Sequence, residues 1–299
     1  MRTVQANGVE LAYERHGERD GVPLVLICGL GMQLVGWHDD LVGAMVRRGY
    51  QVVRFDNRDS GGSTDLSSAG VPDLREIVAG TAVAPYGVAD LAADAAGLIE
   101  GLGWESAHVL GLSMGGMIAQ SLALTAPERV RSLISVSSDT GDREIARPTT
   151  TAGSMVLNPA ATTREQYIER AEQMFTLIGS VQFPVDAPWI RRRAALSWDR
   201  GHNPAGVLRQ AAAILSAPDR TAALAGLQVP SLVVHGSADP LVPVAAGRLA
   251  AAVIPTAELL EIEGMGHDLP RAVWERILDK VDDVVHRGEM ATARRAAIA

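Results

Sequence analysis

Six short apolar runs, separated by polar or helical stretches, constrain the fold of this chain more than any other feature. Each run is five or six residues long, too short for a stable helix, and is apolar at most positions. Such runs are typical of strands that are buried on both faces of a parallel sheet. They cover residues 23–28, 51–55, 108–112, 132–136, 231–235 and 258–262.

The segments around these runs complete the pattern. Asn7-Gly8 joins two segments of strand character and predicts an antiparallel hairpin at the start of the chain. A helix is predicted before the third run from apolar residues at helical spacing, namely Leu91, Ala95, Leu98, Ile99 and Leu102. This alternation predicts an α/β fold with a mostly parallel central sheet flanked by helices.

The alternation stops between residues 139 and 227, where the sequence predicts helices at 164–178, 189–198 and 207–215. We interpret this stretch as a helical lid inserted after the sixth strand, with structural padding as the alternative. The predicted domains are therefore an α/β core of residues 1–138 and 228–290, a lid of residues 139–227, and a polar tail of residues 291–299.

Composition excludes several classes of function. The formal net charge of −8 disfavours a nucleic-acid partner, because an anionic surface would have to hold a polyanion. The densest basic run, Arg191-Arg192-Arg193, is read as a solvated helical face or as an anion contact near a binding site. A single cysteine, Cys28, allows no internal disulfide and favours a cytoplasmic location. We expect no membrane span, because no apolar run approaches the ~20 residues that a bilayer requires, and no signal peptide, because the first residues lack an apolar h-region.

The glycine-rich stretch "GLSMGG", residues 111–116, follows the third apolar run and precedes a helical segment. This context matches the G-x-S-x-G nucleophile elbow, in which a serine stands on a sharp turn between a strand and a helix. Small residues are needed there because strand and helix press together. Ser113 is therefore the predicted nucleophile, and the amides of the following helix could stabilise an oxyanion.

A nucleophilic serine needs a base and a carboxylate. Among seven histidines, His267 lies in a glycine-rich loop just after the last apolar run, and Asp239 follows the preceding run directly. Serine, aspartate and histidine thus occur in the order 113, 239, 267, each at a strand end and hence at one edge of a parallel sheet. We predict that Ser113 attacks a carbonyl carbon, His267 transfers the proton, and Asp239 orients the imidazole.

The predicted oxyanion hole consists of two backbone N–H groups, those of Met114 and Leu30, with Met32 as the next choice for the second donor. The residues predicted to line the substrate pocket are Met32, Trp37, Met174, Trp189 and Trp198, although the aromatic lid residues could equally form ordinary lid core. The chain has no dinucleotide fingerprint, no phosphate-binding loop and no cluster with metal-ligand spacing, so we expect neither cofactor nor metal.

With these motifs in place, residues 4–285 resemble the serine hydrolases of the α/β-hydrolase fold. "DNRDSGGST", residues 56–64, is similar to a structural loop of that family, except that Asp59 stands where a glycine is usual. A closer resemblance is to the methylesterases of anthracycline-type polyketide biosynthesis, carried by "GLSMGG", "FDNRDSGGST", "APYGVADLAADA" and "EGMGHDLP". The resemblance implies an α/β-hydrolase fold and hydrolysis of an ester.

The predicted function is hydrolysis of a small to medium hydrophobic carboxylic ester, with a methyl ester as one option, through an acyl-enzyme. A lactonase, a C–C bond hydrolase, a perhydrolase or an acyltransferase could use the same triad. A protein of another class, a non-hydrolytic binding module or cyclase on this fold, also remains open. The expected partner is a small-molecule ester, and the oligomeric state is open, with a homodimer among the options.

Overall fold

A computed structural model describes residues 1–145 and 161–297. Its centre is an eight-stranded sheet with the spatial order β1-β2-β4-β3-β5-β6-β7-β8. The first two strands pair antiparallel with each other, β2 pairs antiparallel with β4, and the other neighbouring strands are parallel. The strands are β1 (Arg2–Ala6), β2 (Val9–His16), β3 (Val22–Ile27), β4 (Tyr50–Phe55), β5 (Ala107–Leu112), β6 (Val130–Val136), β7 (Ser231–Gly236) and β8 (Ala257–Ile262).

Helices cover both faces of the sheet and bury two separate apolar clusters against it. The helices are α1 (Asp39–Arg47), α2 (Leu74–Ala79), α3 (Val88–Gly101), α4 (Met114–Thr125), α5 (Arg164–Ile178), α6 (Ala187–Gly201), α7 (Pro204–Leu215), α8 (Thr221–Leu224), α9 (Val244–Val253) and α10 (Trp274–Ala296). Short 3₁₀ turns lie at Leu34–Gly36, Ser67–Ala69, Pro127–Arg129 and Arg271–Val273. Within the described ranges, no helix combines the length and apolar character needed to cross a bilayer.

The predicted α/β architecture is confirmed. The six apolar runs form β3 to β8, and the Asn7-Gly8 hairpin joins β1 to β2 through residues with positive φ. Strands β3 and β5 are completely buried at most positions, which explains why they are apolar without alternation. Parallel pairing brings the carboxyl ends of β5, β7 and β8 to one edge of the sheet, and the candidate site lies at that edge.

Helices α5 to α8 stand between β6 and β7, and we call this segment the helical insertion. The predicted helices at 164–178, 189–198 and 207–215 correspond to α5, α6 and α7. Residues 146–160 of the predicted lid lie outside the described residues. Helix α10 continues to Ala296, so residues 291–296 of the predicted polar tail are helical.

Buried ion pairs fasten the helical insertion to the core. Arg209 of α7 binds the carboxylate of Asp59 through two nitrogens at 2.6 and 2.8 Å, and both side chains are almost inaccessible to solvent. Asp59 has φ +67°, so it takes the left-handed backbone conformation for which a glycine is usual. The departure from the family loop therefore keeps the backbone shape and adds a carboxylate, which also accepts a hydrogen bond from Tyr86. Arg200 of α6, whose side chain is partly exposed, pairs through one nitrogen with the buried carboxylate of Asp56.

Arg209→Met is expected to lower the free energy of unfolding by about 3–5 kcal/mol, because it leaves the Asp59 carboxylate buried without its partner. Urea unfolding monitored by tryptophan fluorescence measures this loss. The matched control is Arg191→Met, which removes an exposed pair with Glu172 at 2.5 Å and should cost less than about 1 kcal/mol. Equal losses in the two variants would show that the buried pair does not anchor the insertion.

Candidate active site

Ser113 stands on a strained turn between β5 and α4. Its backbone has φ +57° and ψ −121°, a conformation that a residue with a side chain adopts only when its surroundings impose it. The surroundings here are tight, because a Cβ on Gly111 would lie 2.0 Å from the Gly115 carbonyl oxygen, and one on Gly115 would lie 2.1 Å from that of Ile27. The Ser113 N–H donates to Val136 O of β6 at 2.9 Å. The glycines therefore hold the serine at the end of the strand, as the elbow motif requires.

Asp239 and His267 meet at the same edge of the sheet although 28 positions separate them. The Nδ1 atom of His267 lies 2.7 Å from Oδ2 of Asp239, and both residues are buried. The other carboxylate oxygen, Oδ1, accepts hydrogen bonds from the backbone N–H groups of Leu241 and Val242 at 2.9 Å each. These amides fix the rotation of the carboxylate group, so that its Oδ2 atom faces the imidazole of His267.

A second histidine lies beside this pair. His235 Nε2 is 2.8 Å from the Val242 carbonyl oxygen and 3.7 Å from Asp239 Oδ2. Burial lowers the pKa of the His235 imidazole, which favours its neutral form. The sequence indicated only that His235 packs or forms hydrogen bonds near its strand end, and the structure places it behind the carboxylate.

The loop that carries His267 is held by the helical insertion. The His267 N–H donates to the carbonyl oxygen of Ile178, the last residue of α5, at 2.7 Å. Just beyond that helix, the Ser180 hydroxyl accepts from the Gly266 N–H at 3.0 Å and donates to Asp268 at 2.5 Å. The position of the imidazole therefore depends on the insertion as well as on the sheet.

Two backbone N–H groups are available beside Ser113. In residues 1–145 and 161–297, those of Leu30 and Met114 have no hydrogen-bond acceptor within the protein. The Met32 N–H, the other candidate, donates to Gly29 O at 3.1 Å. The chain passes close to the nucleophile here, because a Cβ on Gly29 would lie 3.3 Å from that of Ser113. Leu30 and Met114 are therefore the free donors.

A cavity of about 480 Å³ lies between the sheet edge and the helical insertion, and both Ser113 and His267 line it. The insertion contributes one face of α5 to its wall. Tyr167, Ala171, Met174 and Ile178 follow one another there at helical spacing. The same spacing in the sequence could have identified this face before the structure was known.

The structure assigns the predicted pocket residues differently. Met32 and Met174 line the cavity, but the lining residues in the described part of the chain do not include Trp37, Trp189 or Trp198. The three tryptophans therefore do not line this cavity, contrary to the expectation from the sequence. Trp37 packs in the apolar cluster on the α1 and α10 side of the sheet, Trp189 stacks on His38, and Trp198 stacks on His202 behind the wall. These large aromatic side chains pack the helical insertion and the core of the sheet.

Sequence reasoning missed several residues at the site. Gln210 of α7 accepts a hydrogen bond from the Gly31 N–H at 2.9 Å and so braces the loop that contains Leu30. Arg170 of α5 was also missed and lines the cavity, as does Arg193 of α6, for which the sequence had left open an anion contact near a binding site. No local motif marks Gln210, whose role arises only when α7 packs on the loop after β3.

Comparisons with known proteins identify the family and agree with the fold. A family model described as the alpha/beta hydrolase fold matches residues 22–270. The rhodomycin D methylesterase of Streptomyces peucetius is 33% identical over 92% of this chain and 94% of its own length. A putative carbamate hydrolase of Azorhizobium caulinodans is 29% identical over 89% of this chain and 91% of its own. The solved enol-lactonase from Burkholderia xenovorans LB400 has a TM-score of 0.70 and covers 96% of this chain and 99% of that chain; at 23% identity the likeness concerns the fold.

Proposed function

Because this chain belongs to the α/β-hydrolase family, we propose that it hydrolyses a hydrophobic carboxylic ester through Ser113, His267 and Asp239. The chain is a hydrolase of the esterase type. Its similarity to two rhodomycin D methylesterases supports ester hydrolysis as its reaction. Beyond that reaction, the proposal assigns the catalytic residues and the class of substrate.

One observation carries the assignment of the three residues. The Asp239 carboxylate holds Nδ1 of His267 at 2.7 Å, and the imidazole and the Ser113 side chain border one cavity. A carboxylate on Nδ1 keeps the proton at that nitrogen and leaves Nε2 as a proton acceptor. That tautomer is the one which a base beside a serine hydroxyl requires.

The reaction then runs in two halves. Ser113 Oγ attacks the ester carbonyl carbon while His267 Nε2 takes its proton, and the N–H groups of Leu30 and Met114 stabilise the oxyanion. The intermediate collapses as the imidazolium returns the proton to the departing alcohol, leaving an acyl-enzyme. A water molecule, deprotonated by the same imidazole, releases the acid and restores the serine.

The cavity supports a substrate with a hydrophobic acid portion. Its volume of about 480 Å³ lies within the range of ordinary small-molecule sites, and Met32, Met117 and Met174 are among its apolar wall residues. The rhodomycin D methylesterase provides the analogy for the leaving group, so we propose a methyl ester of a hydrophobic ring acid. In this reading the helical insertion is the lid, and α5 and α6 cover the acid portion.

Methyl esters of hydrophobic acids are expected to be better substrates as the acid becomes larger. Burying a methylene contributes about 0.8 kcal/mol, which corresponds to about a fourfold rise in kcat/KM for each one that enters the cavity. The methyl ester of a three-ring acid should therefore exceed methyl acetate by about 100-fold or more in kcat/KM. Release of methanol, measured with the purified protein over this series, tests the expectation.

Lactones of matched size, vinylogous diketones and peroxide with acetate complete the panel and separate the other chemistries of this fold. A higher kcat/KM on any of these than on every methyl ester would contradict the proposed reaction. Saturable stabilisation by the ester series without turnover would instead identify a binding module.

A further inference from the structure

The charged side chains of the cavity wall fall into two groups. Two carboxylates belong to the wall, Asp59 and Asp139, and each has its own arginine. Asp59 binds Arg209 at 2.6 Å, and Asp139 lies 3.9 Å from Arg220. The acidic side chains are therefore compensated inside the protein and contribute little net charge to the cavity.

The two arginines of the wall are not compensated in this way. Among the residues that the structure describes, neither Arg170 nor Arg193 has a carboxylate or a hydrogen-bond acceptor. The neighbouring arginines behave differently, because Arg191 pairs with Glu172 and Arg192 points to solvent. The cavity is thus cationic although the whole chain carries a formal charge of −8.

Aromatic rings hold the Arg193 guanidinium in place. Its central carbon lies 4.6 Å from the centre of the Phe175 ring and 5.0 Å from that of Trp189. The Arg193 side chain is half-buried, and this burial lowers the pKa of its guanidinium, because no carboxylate of the described residues lies beside it to favour the charged form. Contacts with rings contribute about 0.5–2 kcal/mol, less than the cost of removing an unpaired charge from water. An anion entering from the cavity would supply the missing partner.

We propose that Arg193, assisted by Arg170, forms an anion subsite that binds a second acidic oxygen group on the acid portion of the ester. The inference rests on the proposed function, since it assigns a substrate class to the same cavity. The group is a carboxylate or an ionised phenol or enol. A guanidinium can bind each of these anions. Two of its N–H groups can donate to the two oxygens of a carboxylate, and one N–H group can donate to the single oxygen of a phenolate or enolate. This subsite lies on the insertion, apart from the oxyanion donors Leu30 and Met114.

Matched ester pairs test the subsite. Monomethyl isophthalate and methyl 3-carbamoylbenzoate have the same shape, but only the first carries a charge. The methyl ester of a hydroxynitrobenzoic acid, at a pH that ionises its phenol group, is paired with the methyl ether of the same ester and provides the phenolate arm. The native protein should favour the charged member of at least one pair by about 10- to 100-fold in kcat/KM, mostly through KM. The pair of esters with the larger ratio of kcat/KM values shows whether the subsite binds a carboxylate or a phenolate.

Substitutions connect that preference to the arginine. Arg193→Met should abolish it, so that the kcat/KM values of the charged and the neutral ester come within about threefold of each other, and Arg193→Lys should retain part of it. Arg192→Met, one position earlier and exposed, is the matched control and should keep the full preference. Arg170→Met should lower the preference by a smaller factor and provides a second variant if Arg193→Met does not fold.

The outcomes separate the subsite from the proposed function. Hydrolysis of both pair members at equal rates would overturn the subsite and leave the esterase assignment intact. If neither ester is hydrolysed, thermal unfolding of Ser113→Ala with isophthalate decides the question without turnover. Stabilisation that disappears in Ser113→Ala/Arg193→Met would support the subsite, and no stabilisation would overturn it.

Discussion

Ser113→Ala is expected to lower ester turnover by a factor of about 10³ to 10⁶ and to leave the fold intact. The loss is large because no other group in the proposed reaction can form the acyl-enzyme, so only binding and the oxyanion donors remain. The fold should persist because alanine keeps the Cβ that serine already places on the turn at φ +57°. Methanol release from the preferred methyl ester measures turnover, and thermal unfolding checks the fold.

The matched control is Ser121→Ala. Ser121 lies on α4, the helix that follows the elbow, and is buried, so its removal should leave turnover within about threefold of the native value. A serine-directed phosphonate should add one label to the native protein, on Ser113, and none to Ser113→Ala. Full activity in Ser113→Ala, or a label on another residue, would show that the nucleophile lies elsewhere.

The main features of the fold could be predicted because they depend on local pattern. Strands β3 to β8 are apolar runs of nearly fixed length, and α5 to α7 begin and end close to their predicted bounds. The elbow was equally visible, since Gly111 and Gly115 stand where the structure leaves no room for a Cβ. Parallel strands end at one edge, so the order of Ser113, Asp239 and His267 along the chain was enough to predict that they lie near one another.

The composition of the cavity wall could not be predicted in this way. Whether an aromatic residue on α6 lines the cavity or packs behind it depends on how that helix rotates against α5, and no local pattern reports that rotation. Trp189 therefore turns toward His38, whereas Arg193, one turn later, lines the cavity. Which charged side chains are paired also depends on the tertiary structure, because Asp59 and Arg209 are 150 positions apart in the sequence.

The helical insertion has a second consequence for the site. The end of α5 holds the His267 loop through the Ile178 carbonyl and the Ser180 hydroxyl, while its inner face lines the cavity. A substrate that displaces α5 would therefore act on the same segment that holds His267, the proposed base. The helical insertion and the loop of His267 are therefore joined, and under the proposed function the acid portions that fit the cavity without moving α5 should be preferred.

Asp239→Asn is expected to lower kcat by about 10⁴-fold with little change in stability. The backbone N–H groups of Leu241 and Val242 still need a hydrogen-bond acceptor in the variant. The asparagine carbonyl oxygen should therefore take the place of Oδ1, and the NH₂ group should face His267. An NH₂ group donates to Nδ1, which moves the imidazole proton to Nε2 and removes the base that Ser113 needs. Phosphonate labelling of Ser113 should slow in parallel with ester turnover, a change that a purely structural role would not produce.

The matched control is Glu263→Gln, which replaces an exposed carboxylate on the same loop as His267 and should behave like the native protein. If Asp239→Asn kept turnover within tenfold, the orienting carboxylate would have to be another one, and Asp139, which follows β6 and lines the same cavity, would be the residue to replace next.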